Sequence, residues 1–312
     1  MENRHIVVVG SINTDLVGRT QRMPRAGETL LGSDFRMVPG GKGANQAVAV
    51  ARAGGNVKML GRVGDDMFGE QHLANFRDNG VDTHLVQMTA GVPTGVAIIM
   101  VDDDGENSIV VIPGANNSLL PIDIEEAREI VETAQIVMLQ LEIPMETVEA
   151  VIRMAKGAGV PVILDPGPAR PLAKELLAQV DIITPNEHEA QVLAGEEIHN
   201  LDDAYRVAGK LLESGVKNVL LKLGGNGVII ATPQGMEHVP AHKVKAEDTT
   251  AAGDSFAGGL AVALAEGFSL RSAVLFANAV GALAVTKLGA QTAIPTRQEI
   301  EAFMAERGVV LE

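Results

Sequence analysis

The pattern that most restricts this chain is an alternation. Short runs of β-branched and apolar residues recur along its 312 residues at Ile6–Val9, Val57–Arg62, Ile136–Leu141, Val160–Leu164, Asp181–Thr184 and Val219–Leu223. Between them lie Ala-, Glu- and Leu-rich stretches with helical spacing, among them Ala44–Ala53, Ile124–Thr133, Thr147–Ala158 and Ala204–Ser214. The C-terminal third reads as helices at Gly253–Glu266, Ser269–Lys287 and Arg297–Glu306. Strands apolar on both faces need helices above and below, so the expectation is a three-layer α/β fold around a mostly parallel sheet. There is no low-complexity linker and no repeat, and residues 1–312 read as one large domain.

Two segments break the alternation. Leu16–Val38 holds strand-like pieces joined by Met23-Pro24-Arg25-Ala26-Gly27 and has no helical pattern. Gly95–Ile112 reads as a hairpin, with Val96–Val101 returning as Ser108–Ile112 around Asp102–Asn107. We read the two insertions, 16–38 and 95–112, as one small β-sheet standing off the main domain. Such a sheet would cover a ligand or a partner chain. The plainer reading is two surface ribbons packed on the core.

Charge narrows the choice of partners. Twenty-five Lys and Arg stand against 40 Asp and Glu, a formal net charge of −15. Such a surface repels nucleic acid and anionic lipid, so a phosphorylated ligand must be met locally, by backbone amides or by a metal. There is no Cys, which removes disulfides, thiolate nucleophiles and Cys-ligated metals and fits a reducing compartment. Met1–His5 is polar and runs straight into the first strand-like run, unlike a signal peptide. Apolar stretches such as Ala257–Ala265 fall short of the ~18 residues that span a bilayer. The expectation is a soluble, cytoplasmic, acidic protein.

In an open parallel sheet, ligands bind beyond the carboxyl ends of the strands. Here the strand-like runs are followed by Gly10–Asp15, Glu142, Asp165-Pro166-Gly167, Pro185–Glu189 and Gly224–Gly227. Any one of these alone is an ordinary cap or turn. Together they deliver carboxylates, carboxamides and glycines to one edge, suiting a hydroxyl-rich ligand.

The richest local signal is Asp248–Leu260. Small residues Ala251, Ala252 and Gly253 precede a helix whose first turn holds Asp254. Exposed amides there, reinforced by the helix dipole, make a site for negative charge. A free carboxylate beside an anion hole would compete with the anion, so it makes chemical sense as a base that accepts a proton during transfer; the alternative is a simple helix cap. The loop is neither a Walker A loop nor G-x-G-x-x-G, and has no Lys of its own. The second glycine-rich element, Gly40–Ala47, opens a helix and sets Asn45 on its first turn; the alternative is a tight loop-to-helix junction.

At these residues the chain resembles the ribokinase branch of the carbohydrate kinase family that also holds the minor phosphofructokinases and adenosine kinase. The likeness runs from Ile6 to Pro295, with Gly40–Ala47 similar to the family's first signature and Asp248–Phe256 to its second. The resemblance implies ATP-dependent phosphorylation of D-ribose at O5, giving D-ribose 5-phosphate. It implies Asp254 as base and the amides of Ala251, Ala252 and Gly253 as anion hole. Asn13, Asp15, Gly41, Lys42, Gly43, Asn45 and Glu142 match the sugar-binding positions. Asn186, Lys222, Gly224, Gly225, Gly227, Gly253 and Asn278 match the ATP-binding positions, and Glu189 an indirect contact to Mg²⁺. Asp248, Thr250, Ala284, Lys287, Gly289 and Ala293 match positions around an activating K⁺, several through carbonyls. The insertions match a β lid that closes on sugar and pairs two subunits as a homodimer. Two departures stand out: Lys222 where the family often has Thr, and Ala293 where Ser is common.

Two other readings compete. One is a kinase of the same family acting on deoxyribose, fructose or a riboside. The other is a sugar-responsive binding module without catalysis, against which stand the intact Asp254 loop and the Asn186/Glu189 pair. The histidines, His188 among them, show no ligand spacing and read as surface or supporting residues.

Overall fold

The computed structural model describes residues 4–312; Met1–Asn3 of the polar start lie outside the described residues. Thirteen strands follow in chain order: β1 (Ile6–Val9), β2 (Asn13–Arg19), β3 (Asp34–Gly40), β4 (Val57–Gly64), β5 (Asp82–Thr89), β6 (Gly95–Val101), β7 (Asn107–Ile112), β8 (Ile136–Leu139), β9 (Val162–Leu164), β10 (Ile182–Ile183), β11 (Asn218–Lys222), β12 (Val228–Thr232) and β13 (Gly235–Val239). Nine form one sheet in the order β13-β12-β11-β10-β9-β8-β1-β4-β5. From β11 to β5 all neighbours are parallel; β12 and β13 add an antiparallel edge.

The residues of β1 show why the sheet needs two covers. Ile6 and Val8 enter one apolar layer and Val7 and Val9 the other, and all four are fully buried. Fully burying each such side chain stabilises by roughly 1.5–3 kcal/mol, and only helices on both faces can do it for every residue of the strand. The helices Lys42–Arg52, Ala252–Ala265 and Leu270–Ala284 supply one layer, and Met145–Ala158 and Leu201–Glu213 the other. Gly258 lets two of these helices approach closely: a Cβ there would stand 2.9 Å from the backbone nitrogen of Val50. That contact sets the start of Ala252–Ala265 beside the start of Lys42–Arg52.

The strand expected at Ile136–Leu141 ends at Leu139, and the helix expected over Ile124–Thr133 is two short ones, Pro121–Glu126 and Arg128–Glu132. The helix Met67–Asp78 and strand β5 escaped sequence reading, as did the antiparallel pair β12–β13.

The two insertions pair into a separate four-stranded sheet, β3-β2-β6-β7. It is longer than the expected boundaries 16–38 and 95–112, because the ladder begins at Asn13, which pairs with both Gly40 and Gly95. Asp102 stabilises the β6–β7 turn, its carboxylate accepting from the N–H groups of Asp104 and Glu106. Phe35 on β3 and Ile109 and Val110 on β7 stand more than half exposed. Among the described residues no helix is long and apolar enough to cross a membrane.

Candidate active site

The helix Ala252–Ala265 begins without a side-chain cap. Its N-cap residue is Ala251, held at φ 57°, the only non-glycine residue with positive φ among the described residues. A left-handed alanine costs about 1–2 kcal/mol, so the surrounding structure imposes it. The Ala252 N–H, expected among the anion-hole donors, donates to the Thr249 carbonyl (3.2 Å). The N–H groups of Ala251, Gly253 and Asp254 make no hydrogen bond among the described residues and remain for an anion.

Asp254 does not cap its helix. It is 6% exposed, and its two oxygens accept from the Asn45 (2.9 Å) and Gln46 (3.2 Å) side-chain amides. Burial pushes its pKa up to about 6, against the pull of Lys42 and these two donors and with the push of Asp165. The amides are themselves fixed: Gln140 donates to Gln46 Oε1 (2.6 Å), and Gln291 donates to Asn45 Oδ1 (3.1 Å) while accepting from Asn75 (2.6 Å). A buried carboxylate titrating near neutrality and aimed by a chain of amides is equipped to take a proton.

Lys42 lies at the centre of the acidic groups. Its Nζ stands 3.3 Å from Asp165, 3.9 Å from Glu189 and 4.0 Å from Asp254. Burial opposes its charge, but Asp165, Asp254, Glu189 and Glu142 together hold its pKa well above the usual lysine value. Asp165 bridges Lys42 to Lys222, whose Nζ is 3.4 Å from its other oxygen; the two ammonium groups overcome the burial that would raise its pKa and hold it below the usual carboxylate range.

The expected sugar residues converge where the small sheet meets the large one. Gly41, at φ 88°, opens the helix Lys42–Arg52; a Cβ there would lie 2.6 Å from the Asn13 nitrogen, so only glycine fits. Glu142 accepts from the Lys42 N–H (3.2 Å) and from the Ser11 hydroxyl. Asn13 accepts from Asn116 (2.7 Å). Burial, with Glu142 and Asp254 nearby, pushes the Asp15 carboxyl up to about 7. Asp15 thus feels the charge of both Glu142 and Asp254, and nearby Gly43 packs against the Gly10 backbone.

Asp254 also borders a cleft of about 780 Å³. All seven expected ATP positions border it: Asn186, Lys222, Gly224, Gly225, Gly227, Gly253 and Asn278. Glu189 borders it too, and forms a capping box with Asn186, each side chain accepting from the other's N–H at 2.8 Å. The side of the cleft made by Ala241–Val244, with Gly281, Ala282 and Val285, was invisible to sequence reading because it carries no motif.

The loop ahead of the helix is tied down by Asp248. Its carboxylate accepts from Thr250 N–H (2.9 Å) and Oγ1 (2.6 Å) and from the Gly289 N–H (2.9 Å). Burial raises its pKa, but these hydrogen bonds and Arg19 outweigh it and keep the group low. Ala284 ends the helix Leu270–Ala284, and Ala293 lies buried in the turn Gln291–Ala293; neither shares a hydrogen bond with Asp248. The Lys287 ammonium pairs with Glu299 (2.7 Å) at the surface.

Of the histidines, His72 is buried and hydrogen-bonded to Thr14 (3.1 Å), and His242 borders the cleft. Gln46, Gln140 and Gln291 were missed as site residues. Gln46 could have been found from its place on the same helical turn as Asn45; the other two lie far away in sequence.

The model of the pfkB family carbohydrate kinases matches residues 3–297. A ribokinase of Bacillus subtilis (strain 168) is 42% identical over 97% of this chain and 100% of its own length. A deoxyribokinase of Salmonella typhi is 36% identical over 96% of this chain and 98% of its own. The structure of Arabidopsis thaliana ribokinase complexed with ribose and ATP superposes with a TM-score of 0.91 at 36% identity, covering 96% of this chain and 98% of that one.

Proposed function

This chain belongs to the pfkB family of carbohydrate kinases, and from that premise we propose that it transfers the terminal phosphoryl of ATP to the 5-hydroxyl of D-ribose, with Asp254 as base. The observation that carries the reading is the position of Asp254, buried at the wall of a cleft of about 780 Å³ and within the electrostatic reach of Asp15, at the start of a helix with unpartnered amides. A sugar held by Asp15, Asn45 and Glu142 would present its primary hydroxyl to the carboxylate. Asp254 takes the proton, the oxygen forms its bond to the γ-phosphorus, and the bond from that phosphorus to the bridging oxygen breaks, releasing ADP. The amides of Ala251 and Gly253 meet the charge on the transferring group, as fixed dipoles in a water-poor site do better than water itself.

Among sugars, Asp15 and Asn45 suit two adjacent ring hydroxyls, and a site built for both rejects an analogue lacking one. The deoxyribokinase relative makes 2-deoxyribose the specific competitor. ADP release by the wild type is expected to follow ribose over 2-deoxyribose and fructose, and Asp254→Asn to lower it by ~10²–10⁴ with folding intact. A preference for 2-deoxyribose would overturn the choice of sugar; an active Asp254→Asn would overturn the mechanism.

Among the described residues no three His, Asp or Glu side chains gather as a metal cage. Mg²⁺ would therefore enter on the nucleotide's phosphates, with buried Glu189 at the wall of the cleft as an indirect contact. It supplies neutralisation of phosphate charge. For an alkali cation the Asp248 loop offers a carboxylate held ionised, a hard oxygen ligand of the kind such ions take. K⁺ there, with Asp248, Thr250, Ala284, Lys287, Gly289 and Ala293 around it, would shape the anion hole. The smaller sheet would act as a lid, and its exposed Phe35 and Val110, which the register places on one face, would pack against the partner's sheet in a homodimer. A charged residue at Val110 should then yield a monomer by light scattering. A cytoplasmic setting, where ATP is at hand, completes the reading.

A further inference from the structure

The helix Met67–Asp78 carries none of the expected ligand positions, yet His72, Asn75 and Asn79 line one side of it and its end. It is pinned at its start, where the Asp66 carboxylate accepts from the Thr94 N–H (2.8 Å) and hydroxyl (2.7 Å), and again where His72 is hydrogen-bonded to Thr14 (3.1 Å). From this fixed helix a file of side-chain amides runs to Asp254. Asn79 donates to Asn75 Oδ1 (3.3 Å), Asn75 to Gln291 Oε1 (2.6 Å), Gln291 to Asn45 Oδ1 (3.1 Å) and Asn45 to Asp254 (2.9 Å). Each amide in the middle takes an N–H from behind and gives one forward, so the file has a direction. An ionised Asp254 can only accept, which fixes the sense at one end, and Asn75 fixes it at the other. Gln291 and Asn45 are 3% and 6% exposed, so water is a poor substitute for a lost partner.

We propose that Asn75 is a positioning residue for the base: by donating to Gln291 it sets the direction of the amide file, keeps an N–H on Asp254, and so holds that carboxylate ready to accept a proton. The inference rests on the reading of Asp254 as base and deepens it. Asn75→Asp keeps the shape of a half-buried side chain but leaves it only an acceptor. Gln291 then turns its amide to donate to it, Asn45 turns likewise, and an amide oxygen faces Asp254 where an N–H stood. The ionised form loses a donor and the protonated form gains an acceptor, so protonation is favoured. The Gln46 donor to the other oxygen stays. Lys42, Asp165 and Asp15 face Asp254, with Lys222, Glu189 and Glu142 beyond them; none belongs to the file and none is altered.

Carbon-13 NMR of aspartate-labelled protein, with Asp254 assigned by its absence from Asp254→Asn, reads the titration midpoint without substrate. Asn75→Asp should raise the midpoint by about one to two pH units, the weight of a hydrogen bond to a charged group. Asn75→Leu removes the donor without adding charge and should raise it by about half a unit to one unit, the weight of a neutral hydrogen bond; it carries the test if Asn75→Asp does not fold. The acid limb of kcat/KM should move by the same amounts. An unmoved midpoint in folded Asn75→Asp overturns the proposal. So does a shift in Asn75→Asp with none in Asn75→Leu, the mark of a bare charge effect. Midpoints that move while the acid limb stays would defeat Asp254 as base and leave the role of Asn75 standing.

Discussion

Burying an ionised Asp254 opposes folding, and Asp254→Asn should reveal by how much. The carboxyl titrates at about 6 in the native chain against an ordinary 3.8, chiefly because it is buried. At about 1.36 kcal/mol for each pH unit, this difference amounts to about 3 kcal/mol. The sign follows from linkage. A native pKa above the unfolded one favours the protonated native form, so the wild type loses stability relative to a neutral side chain as pH rises from about 4 to about 6. The variant's advantage should be absent below pH 4, about half developed at pH 5 and complete at pH 8. Asparagine keeps the shape and can still accept from Asn45, while Lys42 retains Asp165 and Glu189. Urea unfolding of both proteins at pH 5 and pH 8, followed by circular dichroism, measures the difference. A variant less stable than wild type at pH 8, or a difference equal at both pH values, would refute the reasoning.

Three further outcomes follow from the same geometry. The acid limb of kcat/KM should have its midpoint near pH 6, falling about tenfold between pH 7 and pH 5, because a protonated Asp254 cannot accept the sugar's proton; a flat profile over that range would exclude it as base. Gly41→Ala should weaken ribose binding at least tenfold in calorimetry, since its Cβ would press on the Asn13 nitrogen at 2.6 Å from a backbone at φ 88°. Replacing K⁺ by tetramethylammonium should depress turnover severalfold while ribose binding holds, and an unchanged rate would remove the ion's role.

The layered fold was legible because burial on both faces leaves its mark in short stretches, such as Ile6–Val9, and helices between them repeat at 3.6 residues. Strand β5 was illegible because its burial is partial and its residues mixed, and β12–β13 because an antiparallel edge follows no βαβ rhythm. Within the site, Asp254, Asn45 and Glu142 could be found from short motifs. The links that aim them could not: Gln291 reaches Asn45 across 246 residues and Gln140 reaches Gln46 across 94. The turn that engages the Ala252 N–H with the Thr249 carbonyl likewise left no mark in the sequence. Glu189 combined two readings in one side chain, since the residue expected near phosphate is also the reciprocal cap of its helix.

Asn13 and Asp15 belong to β2, and Asn13 is the residue at which β3 and β6 both join that strand. The groups that would grip the sugar are thus the root of the outlying sheet. Were the sheet to turn about that root, Asp15 would move with it, and a pentose held by Asp15 would oppose the turn. Discrimination between pentoses would then be read out as dwell time of a moving part, and a sugar missing one hydroxyl would be released before transfer.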